Sequence, residues 1–134
     1  MSVPKDKRSE GELAINTEAR AICTHVLRIT GNEKNFPKEQ EWFTNQLRDT
    51  ALNIDLDCWE ANNIYVNSDA LYLQRLSLEA KAGNACTRML ELINIGRSLY
   101  HMPTKRYQHL TTQYSDLRKH IRNWYKSDQE RLRP

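Results

Sequence analysis

The residues best placed to do chemistry in this sequence are Arg118, Lys119, Arg122 and Lys126. At about 100° per residue in an α-helix, the four side chains fall within an arc of roughly 100°. Cations grouped in this way suit phosphate groups, or another acidic partner, through long-range charge. Beside them Tyr107, Leu110, Tyr114, Leu117, Ile121 and Trp124 recur at alternating steps of three and four, the pattern of a buried seam. One face of this helix therefore packs inward while its neighbour presents charge. Tyr100, Tyr107, Tyr125 and His120 lie among the cations. Tyr107 occupies a seam position and reads as core rather than as a platform for stacking bases.

No comparable pattern supports catalysis. Gly11, Gly31, Gly83 and Gly96 are isolated and none is followed by Gly-Lys-Ser/Thr, so a phosphate-cradling loop is missing. A di-iron carboxylate site in a helical bundle needs Glu-x-x-His pairs, but the residues three before His25, His101, His109 and His120 are Ile22, Ser98, Arg106 and Leu117. Asp55 and Asp57 are about 200° apart around a helix and cannot act on one proton together. Asp57 and Glu60 can share a face, which reads as a solvated acidic surface. Cys23 and His25 are two apart and point away from each other. The expectation is a non-enzymatic protein with no metal or cofactor.

Cys23, Cys58 and Cys86 are odd in number, far apart and embedded in amphipathic segments, so they read as buried, reduced thiols of a cytoplasmic protein. Charged residues interrupt every apolar run well short of a membrane span, and the start MSVPKDKRSEGEL lacks an apolar leader. A net charge of +3 conceals segregation. Residues 33–69 carry three Lys/Arg against eight Asp/Glu, whereas residues 102–134 carry eight against three. The two regions can neutralise each other within one molecule or between copies.

The elements that position these groups are helices. Four Gly and four Pro in 134 residues leave little punctuation for a sheet. Ser9 and Glu12 have capping-box spacing, and Ile15, Ala19, Ile22, Val26 and Ile29 follow as a seam, predicting a first helix over about 10–30 closed by a left-handed Gly31. Pro37 suits the first position of a second helix of roughly 28 residues. Its seam is Phe43, Leu47, Thr50, Ile54, Cys58, Ala61 and Tyr65; Trp42, Leu52, Leu56 and Trp59 lie off it and predict contact with another subunit. A third helix starts after Asn67 and Ser68 with two apolar stripes, through Leu76, Ala80, Gly83, Leu90 and Ile93 and through Leu71, Leu78, Ala82, Ala85, Met89 and Leu92. Gly83 there predicts a close backbone neighbour. Asn84 and Asn94 interrupt its apolar surface. Pro103 opens a fourth helix over about 103–127. The resulting expectation is all-α, an antiparallel up-down four-helix bundle over 10–127, with a disordered segment 1–9 and a mobile charged tail 128–134.

The stretch FPKEQEWFTNQLRDTALNIDLDCWEANN (36–63), a Leu-rich helix, and PTKRYQHLTTQYSDLRKHIRNWYKS (103–127) together resemble the accessory variability protein of diversity-generating retroelements. More distantly they are similar to the four-helix proteins encoded in ribosomal-RNA intervening sequences. The likeness spans about residues 12–127. It rests on the Phe-Pro helix start with Gln46-Leu47-Arg48 downstream, the Lys-Arg-Tyr opening of the last helix, and Trp124 with Lys126 at its close. The resemblance implies a non-enzymatic bundle assembled as a homopentameric ring that binds a reverse transcriptase and its template RNA, or DNA, during mutagenic retrohoming. On the matching positions, nucleic acid would meet Arg118, Lys119, Arg122 and Lys126, joined by Arg75, Arg88 and Arg97 of the third helix. The more distant likeness implies instead a structural helical oligomer or protein-interaction module that binds no nucleic acid.

Overall fold

The computed structural model describes residues 5–132, with side chains from Ala14 onward. Four helices, α1 (Lys5–Thr30), α2 (Glu41–Asn62), α3 (Asp69–Tyr100) and α4 (Thr104–Leu132), are joined by short connections, with one 3-10 turn at Lys38–Gln40 and no strand among the described residues. Cross-helix pairs define the topology. Between α3 and α4, Arg75 meets Asp128, Thr87 meets Arg118 and Asn94 meets Tyr107. Between α2 and α3, Thr44 meets Tyr100 and Asp57 meets Lys81. Between α1 and α2, Arg48 reaches Leu27 and Thr30. Between α1 and α4, Glu18 meets His120 and His25 meets His109. In the α3–α4, α2–α3 and α1–α4 sets one number falls as the other rises, so these neighbours run antiparallel, and α1 is then antiparallel to α2 as well. The helices neighbour one another in the order α1–α2–α3–α4–α1, and α2 and α4 lie diagonally across the core, with no Cα atoms within 8 Å of each other. The architecture is an up-down four-helix bundle.

The seams close it. Ile15, Ala19, Ile22 and Val26 of α1, Phe43, Leu47, Ile54, Cys58 and Ala61 of α2, and Leu110, Tyr114, Leu117, Ile121 and Trp124 of α4 are buried. Along α3 the most buried line, through Leu76, Ala82, Cys86, Met89 and Ile93, runs between the two expected stripes, because this helix packs on α2 with one flank and on α4 with the other. Ser68 caps α3, its Oγ accepting from the Leu71 N–H at 3.3 Å. At the far end His101 adopts a left-handed φ of 53°, and the Met102 N–H closes back on the Arg97 carbonyl at 3.1 Å.

Several local expectations change. The α1 backbone is helical from Lys5, so Ser9 lies inside the helix rather than ahead of it; residues 1–4 lie outside the described residues. Gly31 has no positive φ. The helix end tightens instead through Gly31 N–H to Arg28 and Asn32 N–H to Ile29, while the Thr30 hydroxyl bonds the Val26 carbonyl at 2.7 Å. Pro37 precedes the 3-10 turn, and α2 begins four residues later at Glu41. Tyr65 lies beyond α2 and is exposed. A Cβ at Gly83 would meet the Ile121 side chain at 3.7 Å, ordinary contact, so no backbone approach there demands glycine. Asn94 accepts from the Tyr107 hydroxyl, a bond from α3 to α4.

The largest revision concerns the C-terminus. α4 continues through Leu132, past the expected end near 127, and Asp128 is fully buried. Its carboxylate takes the Arg75 Nε at 2.8 Å and Nη2 at 3.3 Å, while Arg75 also reaches Glu79 at 3.2 Å and stacks over Trp124 at 5.4 Å. Only Arg133 and Pro134 of the expected tail lie outside the described residues.

Candidate nucleic-acid interface

The α4 seam rotates Arg118, Lys119, Arg122 and Lys126 to the outer side of the helix and its α3 flank. Arg118 Nη1 donates to the Thr87 hydroxyl of α3 at 3.2 Å, and Arg122 Nη2 approaches the same oxygen at 3.5 Å. These bonds lean two guanidinium groups together over the α3–α4 groove without neutralising them. No carboxylate lies within ion-pair distance of Arg118, Lys119, Arg122 or Lys126 among the described residues. Lys119, Arg122 and Lys126 are exposed and Arg118 is half-buried. The strip is thus held in shape at one edge and its charge is open to an external anion.

The three α3 arginines do not join it as a group. Arg75 is only 3% exposed and committed to Asp128, Glu79 and Trp124, which removes it from any phosphate contact. The misplacement has a clear cause: its partner lies 53 residues away, in a segment that sequence pattern assigns to the tail. Arg88 is exposed but lies about 100° around α3 from Thr87, the residue that faces α4. Arg97 is exposed near the opposite end of α3, its guanidinium 4.2 Å above the Tyr107 ring. Tyr107 is half-buried, hydrogen-bonded to Asn94 and covered by Arg97, so its ring serves packing.

Other reactive side chains are occupied structurally. Cys23, Cys58 and Cys86 are buried free thiols, and burial pushes Cys86 up to about 12. His25 and His109 meet edge to face with centroids 5.4 Å apart; burial, then His109, Arg106 and Arg28, hold His25 below the usual imidazole range. Asp57 is turned inward, 3.8 Å from Lys81 Nζ, while Glu60 is exposed, so these two do not form a single solvated face. No group of three or more His, Cys, Asp or Glu is placed to hold a metal among the described residues. No helix there is long and apolar enough to cross a membrane.

The expected surplus of apolar surface is present. Trp42 (66% exposed), Leu52 (42%), Leu56 (43%) and Trp59 (49%) line the outer side of α2, with Tyr65, Leu73 and Ile95 exposed beyond it. No protein-family model, curated protein or solved structure matches the chain.

Proposed function

We propose that this chain is a non-enzymatic accessory protein that binds RNA through the outer strip of α4. In the setting implied by its resemblance, it holds a reverse transcriptase on its template during the mutagenic copying of a diversity-generating retroelement. The observation that supports this reading is the strip itself: four adjacent cations on one helix with no carboxylate partner among the described residues. Contact with phosphates releases counterions and carries little sequence preference, which suits a protein that places an enzyme on a template. Arg118, Lys119, Arg122 and Lys126 form the contact, with Arg88 and Arg97 reached only by a strand that bends over α3. By the same resemblance the chain works as a homo-oligomer of five copies.

Replacing Arg118, Arg122 and Lys126 with Glu tests the assignment. Helicity is retained, because all three side chains lie off the seam. Affinity for unrelated single-stranded RNAs falls, and the slope of log affinity against log salt flattens by about 2, from three lost contacts at about 0.7 each. Filter binding across a salt series reads both. A folded triple variant with unchanged affinity and slope removes the strip from the RNA site. The exposed α2 tryptophans would then favour the second reading, a protein-interaction module without nucleic-acid binding.

A further inference from the structure

Among the described residues, no ion pair joins the acidic quarter of this chain to the basic one. α2 and α4 occupy opposite corners of the bundle, with no Cα atoms within 8 Å of each other, so their outer faces point away from each other. Between Glu41 and Asn62, α2 carries five carboxylates and a single cation, Arg48. Arg48 turns to α1, where Nη1 donates to the Leu27 carbonyl at 3.0 Å and the Thr30 hydroxyl at 2.7 Å. Two of the carboxylates are also turned aside: Asp57 is buried near Lys81 and Asp55 is half-buried. Glu41, Asp49 and Glu60 remain exposed, with no ion pair among the described residues. They share the outer side of α2 with Trp42, Leu52, Leu56 and Trp59, which fall within an arc of about 100°. Beside Trp59 an open cleft of about 520 Å³, lined also by Ile64, Gln74 and Leu78, extends this face toward α3.

We infer that the outer face of α2 docks on the α4 strip of a second copy, and that RNA competes with it there. Charge selects this pairing over the symmetric ones. Setting α2 against α2 brings Glu41, Asp49 and Glu60 against their own kind, and setting α4 against α4 does the same with four cations. Setting α2 against α4 brings carboxylates against cations. It also gives the tryptophans partners, because guanidinium groups stack on aromatic rings and the stems of Lys and Arg cover apolar surface. The chain already uses that chemistry internally, with Arg75 over Trp124, Arg97 over Tyr107 and Arg106 over Phe36. Such a contact joins two different faces, so each addition leaves one α2 and one α4 free. Assembly therefore continues until it closes on itself. The docking stands on charge and exposure alone, while the competition rests on the RNA reading above.

Two variants of the full chain separate the possibilities: Glu41→Lys/Asp49→Lys/Glu60→Lys on α2, and Arg118→Glu/Arg122→Glu/Lys126→Glu on α4. In sedimentation velocity at low ionic strength, wild type associates with increasing concentration and dissociates as salt rises. Each variant alone is monomeric, since both of its faces then carry one sign, and a 1:1 mixture associates again. Recovery on mixing also shows that both variants fold. A wild type that stays monomeric, variants that assemble as wild type does, or a mixture that remains monomeric would each overturn the docking. Adding an unstructured RNA oligonucleotide to wild type shifts the boundary toward protein–RNA complexes with fewer copies, and the α2 variant binds that RNA at least as tightly as wild type. If mixing restores association but the α4 variant still binds RNA with wild-type affinity, the docking stands, and the RNA site and the competition fall.

Discussion

Glu79→Gln should stabilise this protein at neutral pH, although Glu79 is one of its most buried charged-type residues. The side chain is fully buried on α3 and shares Arg75 with Asp128, so two carboxyl groups face one guanidinium in the core, with Arg131 Nη1 at 3.2 Å from Asp128 on the outer side. Burial, and then the hydrogen bond and charge of Asp128, push Glu79 up to about 9, outweighing the opposing pull of Arg75. The folded protein therefore holds a proton on Glu79 at pH 7 that the unfolded chain releases in the ordinary carboxyl range. Between that range and about 9 the native state binds more protons, so stability falls as pH rises, by up to about 1.4 kcal/mol per unit. Gln reproduces the shape and donor of the protonated acid and does not ionise in the unfolded chain. Its advantage should be near zero below pH 4.5, grow through neutrality, and reach on the order of 1–4 kcal/mol at pH 7, the range in which neutral replacement of buried ionic groups proves stabilising. Urea denaturation of both proteins at pH 4.5, 6, 7 and 8 measures the difference. Destabilisation at pH 7, or a difference that does not change with pH, would refute the assignment of the proton to Glu79.

Other consequences are simpler to measure. Arg75→Met, at pH 7, takes the buried guanidinium from the Asp128 carboxylate and leaves it only the partly exposed Arg131, and should cost about 3–5 kcal/mol by the same denaturation assay. Gly83→Ala places a methyl in ordinary contact with Ile121 and Arg122 and removes a helix-interior glycine, which should add about 1 kcal/mol. A loss in thermal or chemical denaturation would mean that the α3–α4 gap is narrower than 3.7 Å suggests. Trp124→Ala removes a buried indole from the α4 seam and the surface over which Arg75 stacks, and should cost about 3–5 kcal/mol; a cost below about 1 kcal/mol would displace Trp124 from the core.

Much of the bundle is legible in apolar periodicity, because a helix that must bury one stripe writes that stripe at steps of three and four. Ile15 through Val26, Phe43 through Ala61 and Leu110 through Trp124 lie where that rule places them. Helix ends are less legible because they depend on hydrogen bonds that many sequences satisfy. Gly31 suggests a left-handed cap, but the Thr30 hydroxyl and two tightened turns close α1, while among the described residues the left-handed one is His101. The α4 strip is legible for the same reason as the seam beside it, since rotation off a buried stripe is a local matter. Arg75 illustrates the opposite case. On its own helix it resembles Arg88 and Arg97, and only a carboxylate 53 residues away turns it inward.

That hidden contact bears directly on the strip. Arg122 and Lys126 stand in the C-terminal half of α4, where the helix would have few reasons to persist if Ser127–Leu132 were a polar tail. Asp128 supplies one by reaching Arg75, and Trp124 lies one turn earlier under the same guanidinium. The α3 arginine that the resemblance assigns to phosphate thus supports the proposed interface from inside, by anchoring the helix end that carries two of the four cations. Breaking the anchor and reversing the strip should then differ in kind. Arg75→Met should lower α4 protection in hydrogen exchange from Arg122 to Leu132 and weaken RNA binding only as that segment frays, whereas the Arg118, Arg122 and Lys126 reversals should weaken binding with protection intact. If Arg75→Met reduces affinity while protection of the α4 end is unchanged, then Arg75 acts on RNA by a route other than the anchor, and the division between core arginine and surface strip fails.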